Sequence, residues 1–252
     1  MPDKASRSLS REAPFVRPGR AGGEVHPGSY DGIFHCYGAA NTLLTLGLDA
    51  LWRKTAAAAA LAGNPSSILD VCCGDGSFSA ELSRRSRGGT SVTGLDFSEK
   101  MLSAARKKSP HIPFILGDAA RLPFPEASFD ALTLSFAARN LAAGGAELGV
   151  YFKEFLRVIK PGGVFVNLET SRPENAPLRA VFHAYVRAAA ALAGLPSPAH
   201  RSAYSFLSGS IAGFYPPEKL SGIMLEAGFA SAEARPLMFG ALAVHRAVKG
   251  LR

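Results

Sequence analysis

Between Ser66 and Thr170 the sequence switches its apolar period six times, and this alternation restricts the fold more than any other feature. The β-rich runs SSILDVCC, TSVTGLD, IPFILGD, DALTLSF and VFVNLET are separated by stretches with helical spacing: one near Phe78 to Ser86, one from Ser98, one near Glu147 to Ile159. Strands that alternate with helices build a doubly wound, mostly parallel α/β sheet. Pro161-Gly162-Gly163 punctuates the chain before the last of these strands, where a crossover must end. Upstream, Tyr30 to about Leu61 is spaced as N-terminal helices, with Asn41 and Asp49 as candidate caps. Downstream, SAEARPLM and ALAVHRAVK flank Phe239-Gly240 and are expected to form a hairpin that adds two strands to the sheet edge. Residues 173–220 contain no strand pattern and are expected to form a helical lid carrying Phe182, Tyr185, Tyr204, Phe206, Phe214 and Tyr215.

A chain of 252 residues with 47% hydrophobic content can bury one large core. The expected organisation is a mobile arm over residues 1–29, rich in Pro, Gly, Ser and Arg, and a single domain over residues 30–252. The formal charge of +8 raises nucleic acid as a partner. Its distribution argues against that reading, because residues 30–171 hold fourteen basic and thirteen acidic side chains, leaving the excess in the two ends. Only Cys36, Cys72 and Cys73 occur, too few and too close for a disulfide framework or a four-cysteine zinc site, so a reducing cytoplasm fits. The alanine runs Ala56 to Ala62 and Ala188 to Ala193 are too short to span a bilayer.

The first β-rich run ends in Asp70 and enters Cys72-Cys73-Gly74-Asp75-Gly76, which places two glycines where the backbone must turn sharply near a ligand. Alone, such a pair is compatible with a plain strand-to-helix turn. Asp96 then ends the next strand, twenty residues after Gly76, where a carboxylate can accept both hydroxyls of a ribose. One strand later Gly117-Asp118-Ala119 offers an acceptor for an adenine amino group. A nicotinamide enzyme would share Asp96, but would usually carry a third glycine where this chain has Ser79. Acids at three successive strand ends suit a cofactor made of an amino acid, a ribose and an adenine, which is S-adenosylmethionine (SAM).

The order of these elements, together with Arg157-Val158-Ile159-Lys160-Pro161-Gly162-Gly163, resembles class I SAM-dependent methyltransferases. A narrower resemblance lies in Tyr30-Asp31, Ile33, Tyr37, Asn41, Leu44, Thr45, Gly47, Asp49 and Trp52-Arg53, which match the opening signature of the ubiquinone/menaquinone biosynthesis C-methyltransferases. Leu122-Pro123-Phe124, Ser135-Phe136, Arg139-Asn140, Leu168-Glu169, Tyr185, Tyr204, Gly228-Phe229, Gly240, His245 and Lys249 extend the match over about residues 30–250. The resemblance implies a seven-stranded Rossmann-like sheet and transfer of a methyl group from SAM, leaving S-adenosylhomocysteine, to a ring carbon of a prenylated hydroquinone such as demethylmenaquinol or a ubiquinone-pathway quinol. It implies cofactor contacts at Asp70, Cys72, Gly74, Gly76, Asp96, Phe97, Met101, Asp118, Ala119 and Ser135, and no metal.

For the reaction itself, Arg139 is expected to stabilise a phenolate and Asn140 to orient a ring oxygen or a water. Tyr37 would close the pocket from the first helices. His183 has proton chemistry near neutral pH, although a lone histidine is more often structural. Tyr185, Tyr204 and Glu169 are the expected substrate contacts. The chain departs from the family pattern at Gly38, at Asp75 and Ser77 in the glycine loop, and at Ala137-Ala138 and Gly209 on the expected substrate side. Another aromatic small molecule or lipid as acceptor, or a SAM-binding partner protein without catalysis, therefore stays open. The segment Phe182 to Phe214 is expected to offer a groove for a polyprenyl tail, with terminal basic residues touching anionic lipid at the membrane periphery. A homodimer is compatible with everything above.

Overall fold

The structure, a computed structural model, describes residue 45 and residues 47–86, 88–143, 147–195 and 198–251, without the side chains of residues 143, 193, 198–200, 202–204, 206 and 207. The expected arm, most of the first helices, and Cys36, Tyr37 and Gly38 lie outside the described residues.

The described chain begins with helix α1 (Asp49–Leu61) and then alternates β1 (Ser67–Val71), α2 (Ser77–Ser86), β2 (Ser91–Asp96), α3 (Glu99–Lys108) and β3 (Phe114–Leu116). It continues with β4 (Phe129–Ser135), α4 (Ala138–Ala143), α5 (Leu148–Val158) and β5 (Ile159–Thr170). Helices α6 (Ala176–Ala193), α7 (Pro198–Gly213) and α8 (Pro217–Glu226) follow, and β6 (Ser231–Leu237) and β7 (Leu242–Val248) close the chain. The seven strands are ordered β3-β2-β1-β4-β5-β7-β6, with β7 antiparallel to both neighbours and β1 to β5 parallel. The terminal hairpin thus adds two strands to the sheet, as its sequence predicts, with the last strand inserted inside β6.

Both faces of the sheet are covered, which is why its central strands are apolar along their length rather than alternating. On one face the small residues Ala56, Ala57 and Ala60 of α1 let that helix lie close against Ile68, Ala131, Val166 and Leu168, with Trp52 at its open end. On the other face α5 buries Phe152 and Phe155 against Phe165, their ring centroids 5.4 Å from it, and Phe229 stacks beyond. Side chains satisfy exposed helix ends. Asn175 accepts from Leu178 N at the start of α6, and the Lys249 ammonium donates to the carbonyls of Leu156 and Ile159 where α5 ends. Arg157 and Glu154 of α5 hold the loop at Leu122 to Phe124 by its backbone. Several residues of the family signature are therefore scaffold.

Three elements differ from their sequence expectation. Asp49 is the first residue of α1 rather than its cap, the cap being Leu48, and its carboxylate turns to Arg53 instead. The run Ala138–Ala143 is a short helix with no amphipathic signal of its own. Pro161-Gly162-Gly163 does not separate helix from strand: β5 runs through it with a register shift against β4, and a side chain at Gly163 would meet Asp130 O at 2.6 Å.

Gly76 lies at φ 72°, and a Cβ there would stand 2.8 Å from the Phe114 ring and 3.0 Å from Ala105. Gly76→Ala is expected to lower unfolding free energy by about 2–4 kcal/mol, combining overpacking with left-handed strain. Chemical denaturation measures this, and trimming the obstacle with Phe114→Leu should recover part of the loss.

Candidate active site

The turn after β1 is held by a buried carboxylate. Asp70 is 1% exposed; its Oδ2 accepts from the Ser79 hydroxyl at 2.6 Å and its Oδ1 from the Thr133 hydroxyl at 2.8 Å, so one side chain ties β1 to α2 and to β4. Burial pushes its pKa up to about 6 despite these two donors and the nearby positive charge of Arg53. Between these anchors the backbone takes left-handed conformations at Cys72, Gly74 and Gly76. The two glycines do different work: Gly76 packs against Phe114 and Ala105, whereas no atom lies within 4 Å of where a Cβ of Gly74 would be. The open face of the loop is therefore at Gly74.

Beside it, Asp96 at the end of β2 is 6% exposed, with Oδ2 accepting from Gly74 N and Oδ1 from Ser98 N, both at 2.9 Å. Burial raises its pKa against those bonds. Each carboxylate oxygen has a second lone pair, so Asp96 can accept from a diol as well. Phe97 is half-exposed next to it, and Met101, whose N–H is capped by Ser98, is partly buried on α3. Asp118 accepts from Ala120 N, while the side chain of Ala119 packs into the core. Burial first, then the charge of Asp118, pushes the phenol of Tyr151 on α5 above its usual value. At the end of β4, Ser135 has a buried hydroxyl with no hydrogen-bond partner.

These groups gather at the carboxyl ends of β1, β2 and β4, where the chain reverses direction in the sheet and such folds bind ligands. The open loop at Gly74, the acceptor at Asp96 and the orphaned hydroxyl of Ser135 fit SAM. Asp70 and Ala119 serve this site from beneath. Asp75, where the family pattern has threonine, accepts from Ser77 and pairs with Lys108 at 3.1 Å, capping α2. Cys73 packs with Leu102, Ala105, Ile112 and Phe114, and burial pushes the Cys72 thiol up. Both cysteines are part of the turn.

A cavity of about 240 Å³ is lined by side chains from α1, α4, β5, α6, α7 and the terminal hairpin, and by Phe136, which follows Ser135 at the end of β4. Trp52, Phe136, Val181, Phe182, Ile211 and Leu242 make it mostly apolar, and Arg139 and the pair Asp49 with Arg53 supply its charge. Arg139 is 4% exposed and Glu169 fully buried; Nη1 of the arginine donates to Glu169 Oε1 at 2.5 Å. The same oxygen accepts from the backbone and hydroxyl of Thr170. Two such charges so far from water need each other.

The structure brings together only part of the expected substrate site. Arg139 and Tyr185 line the cavity; Glu169 does not, standing behind Arg139 as its counter-ion while Thr170 takes the wall position. Asn140 is partly buried on α4 outside the lining. His183 also lies outside it, with burial and then Arg187, Arg172 and Arg179 holding its pKa below the usual imidazole value. Leu178, Val181, Phe182, Tyr185 and Val186 form one i, i+3, i+4 face of α6, and His183 falls outside it. Tyr37 and the side chain of Tyr204 lie outside the described residues. The departures at Ala137 and Ala138 are buried in the core and Gly209 is exposed on α7, so none of them shapes the cavity. Sequence reading missed Arg53, Phe136, Leu178, Met238 and Phe239 as lining. Only Arg53 and Phe136 carried a signal, as members of the two signature motifs.

The raised pKa of Asp70 predicts a pH signature. Protons bind the folded state more tightly than the unfolded one, so the carboxyl contributes stability below about pH 4 that is lost as pH rises through about 6. Relative to Asp70→Asn, the native protein should lose on the order of 3 kcal/mol over that interval in urea titrations. A flat difference would show that Asp70 is not buried as an ion.

Comparison with known proteins agrees with this geometry. Residues 24–249 match the ubiE/COQ5 methyltransferase family. A demethylmenaquinone methyltransferase of Clavibacter sepedonicus is 40% identical over 226 residues, covering 87% of this chain and 88% of that protein. The enzyme of the same name from Deinococcus radiodurans is 39% identical over 208 residues, covering 81% and 84%. Among solved structures, a SAM-dependent methyltransferase from Thermotoga maritima superposes with a TM-score of 0.58 at 17% identity, covering 88% of this chain and 99% of that one. One from Aquifex aeolicus gives 0.51 at 17%, covering 73% and 81%. With its seven-stranded sheet and the ligand face at its switch point, the chain belongs to the ubiE/COQ5 methyltransferase family and is a SAM-dependent methyltransferase.

Proposed function

We propose that the chain methylates a ring carbon of a prenylated hydroquinone of the demethylmenaquinol type. The observation that carries this reading is the cavity between α1 and α6, reached by Phe136 just past the end of β4: apolar over most of its wall, with the buried Arg139 guanidinium at one point. Such a wall suits a flat aromatic ring that bears oxygen and an apolar chain. The relatives named demethylmenaquinone methyltransferase support the same acceptor.

SAM supplies an already activated methyl group, so the protein's task is alignment and charge placement. The cofactor residues are Gly74 and Asp96, with Ser135, Asp118, Phe97 and Met101 around them. Arg139, fixed by Glu169, holds a ring oxygen as phenolate, which raises electron density on the neighbouring carbon. That carbon forms a bond to the methyl group as the sulfur–methyl bond breaks, then gives its proton to a base; the oxygen regains a proton, leaving the methylated hydroquinone and S-adenosylhomocysteine. Asn140, His183, Tyr37 and Tyr204 are secondary to this scheme. Tyr185 and Phe182 bracket the ring from α6.

The prenyl chain leaves through the mouth bounded by Val181 and Phe239, which are 67% and 86% exposed and line the same cavity. With Arg172, Arg179 and Arg187 near His183 on α6, this mouth suits peripheral contact with an anionic membrane from the cytoplasm. No helix among the described residues is long and apolar enough to cross a membrane.

Purified protein given radiolabelled SAM should methylate a short-chain demethylmenaquinol; absence of transfer to every prenylated hydroquinone would overturn the reading. Arg139→Gln is expected to lower kcat by about 10²–10³ while SAM affinity stays unchanged by calorimetry. Each of Arg139→Gln and Glu169→Gln should also cost about 3–5 kcal/mol of stability, because each leaves the other charge buried without its counter-ion, so kcat is compared on protein shown to be folded.

A further inference from the structure

We propose that the Asp49–Arg53 pair on α1 receives the α-amino-acid zwitterion of the cofactor, Arg53 taking the carboxylate and Asp49 the ammonium. This rests on reading the glycine-loop site as the SAM site. The two side chains are one helical turn apart, with Arg53 Nη1 donating to Asp49 Oδ2 at 2.8 Å, and both are mostly buried, at 20% and 15% side-chain exposure. An ordinary surface pair at this spacing lies in water; this one forms part of the cavity wall.

Position favours the cofactor. Arg53 lies close enough to the glycine loop for its charge to favour the ionised form of Asp70, and it lines the cavity where the acceptor must wait. The methyl group to be transferred must lie between those two places, and it is bonded to the same sulfur as the amino-acid chain. With the ribose at Asp96 and the adenine toward Asp118, the amino-acid end is left to the β1 and β4 side of the site, where α1 packs.

Charge points the same way. Lys108 pairs with Asp75 on the exposed side of the loop, and the Arg139 guanidinium is directed to Glu169. The bond to Asp49 engages one nitrogen of Arg53, and a guanidinium has donors for a carboxylate besides. A cation and an anion side by side match a ligand with both charges at its end. Ser135, with its buried unpartnered hydroxyl at the end of β4, offers a further acceptor for the ammonium.

The test is calorimetry on the full chain with three ligands: S-adenosylhomocysteine, its decarboxylated analogue, and 5′-methylthioadenosine, which lacks the amino acid. Arg53→Gln should weaken S-adenosylhomocysteine about tenfold or more and leave the other two within about twofold. Asp49→Asn should weaken both amine-bearing ligands and spare 5′-methylthioadenosine. Equal loss for all three ligands, or no loss for any, would overturn the proposal, with thermal denaturation confirming that each variant is folded. The ligands require no quinol, so a failed methyl-transfer assay alongside this discrimination would count against the proposed acceptor alone.

Discussion

Both oxygens of Asp70 accept hydroxyl protons from elements far apart in sequence, Ser79 at the start of α2 and Thr133 in the middle of β4. Everything between β1 and α2 hangs from that carboxylate. It fixes where the left-handed turn at Cys72, Gly74 and Gly76 begins and ends, and so where Gly74 meets Asp96. A carboxylate removed from water is costly unless donors satisfy it, and the donors here are hydroxyls rather than cations.

A second buried charge, Arg139, meets its counter-ion in a different way. Glu169 ends β5 on the neighbouring strand, so the ion pair also braces α4 against the sheet. The arginine is then presented to an apolar cavity with little freedom to move. Low local polarity strengthens whatever it does to a ring oxygen, while Glu169 stabilises its folding. Rigid charge on one wall and adaptable apolar side chains from α6 and the hairpin on the other divide the recognition of ring and tail.

Much of this was legible in the chain. The alternation of strand and helix periods fixed the layer order, and the acids at Asp70 and Asp96 marked two strand ends. Within the glycine loop, Gly76 packs against Phe114, while its neighbours Asp75 and Cys73 cap a helix and pack beside Phe114. Likewise Arg157, Lys249 and Leu122 to Phe124 belong to the signature because they hold a loop and a helix end in place.

What the sequence by itself determined was the class of fold, the cofactor and the family, because those depend on local period and on motifs whose parts are close along the chain. What only the tertiary structure decided was the role of each side chain. Glu169 is a counter-ion and Thr170 a wall residue because adjacent residues on a strand face opposite sides of the sheet. Phe182 belongs to the i, i+3, i+4 face of α6 that lines the cavity and His183 does not. Met238 and Phe239 reach the mouth only because the last hairpin folds back beside β5. Such placements arise from contacts between residues far apart along the chain, 30 for Arg139 with Glu169 and up to 84 for Val164 with Val248, and no local pattern encodes them.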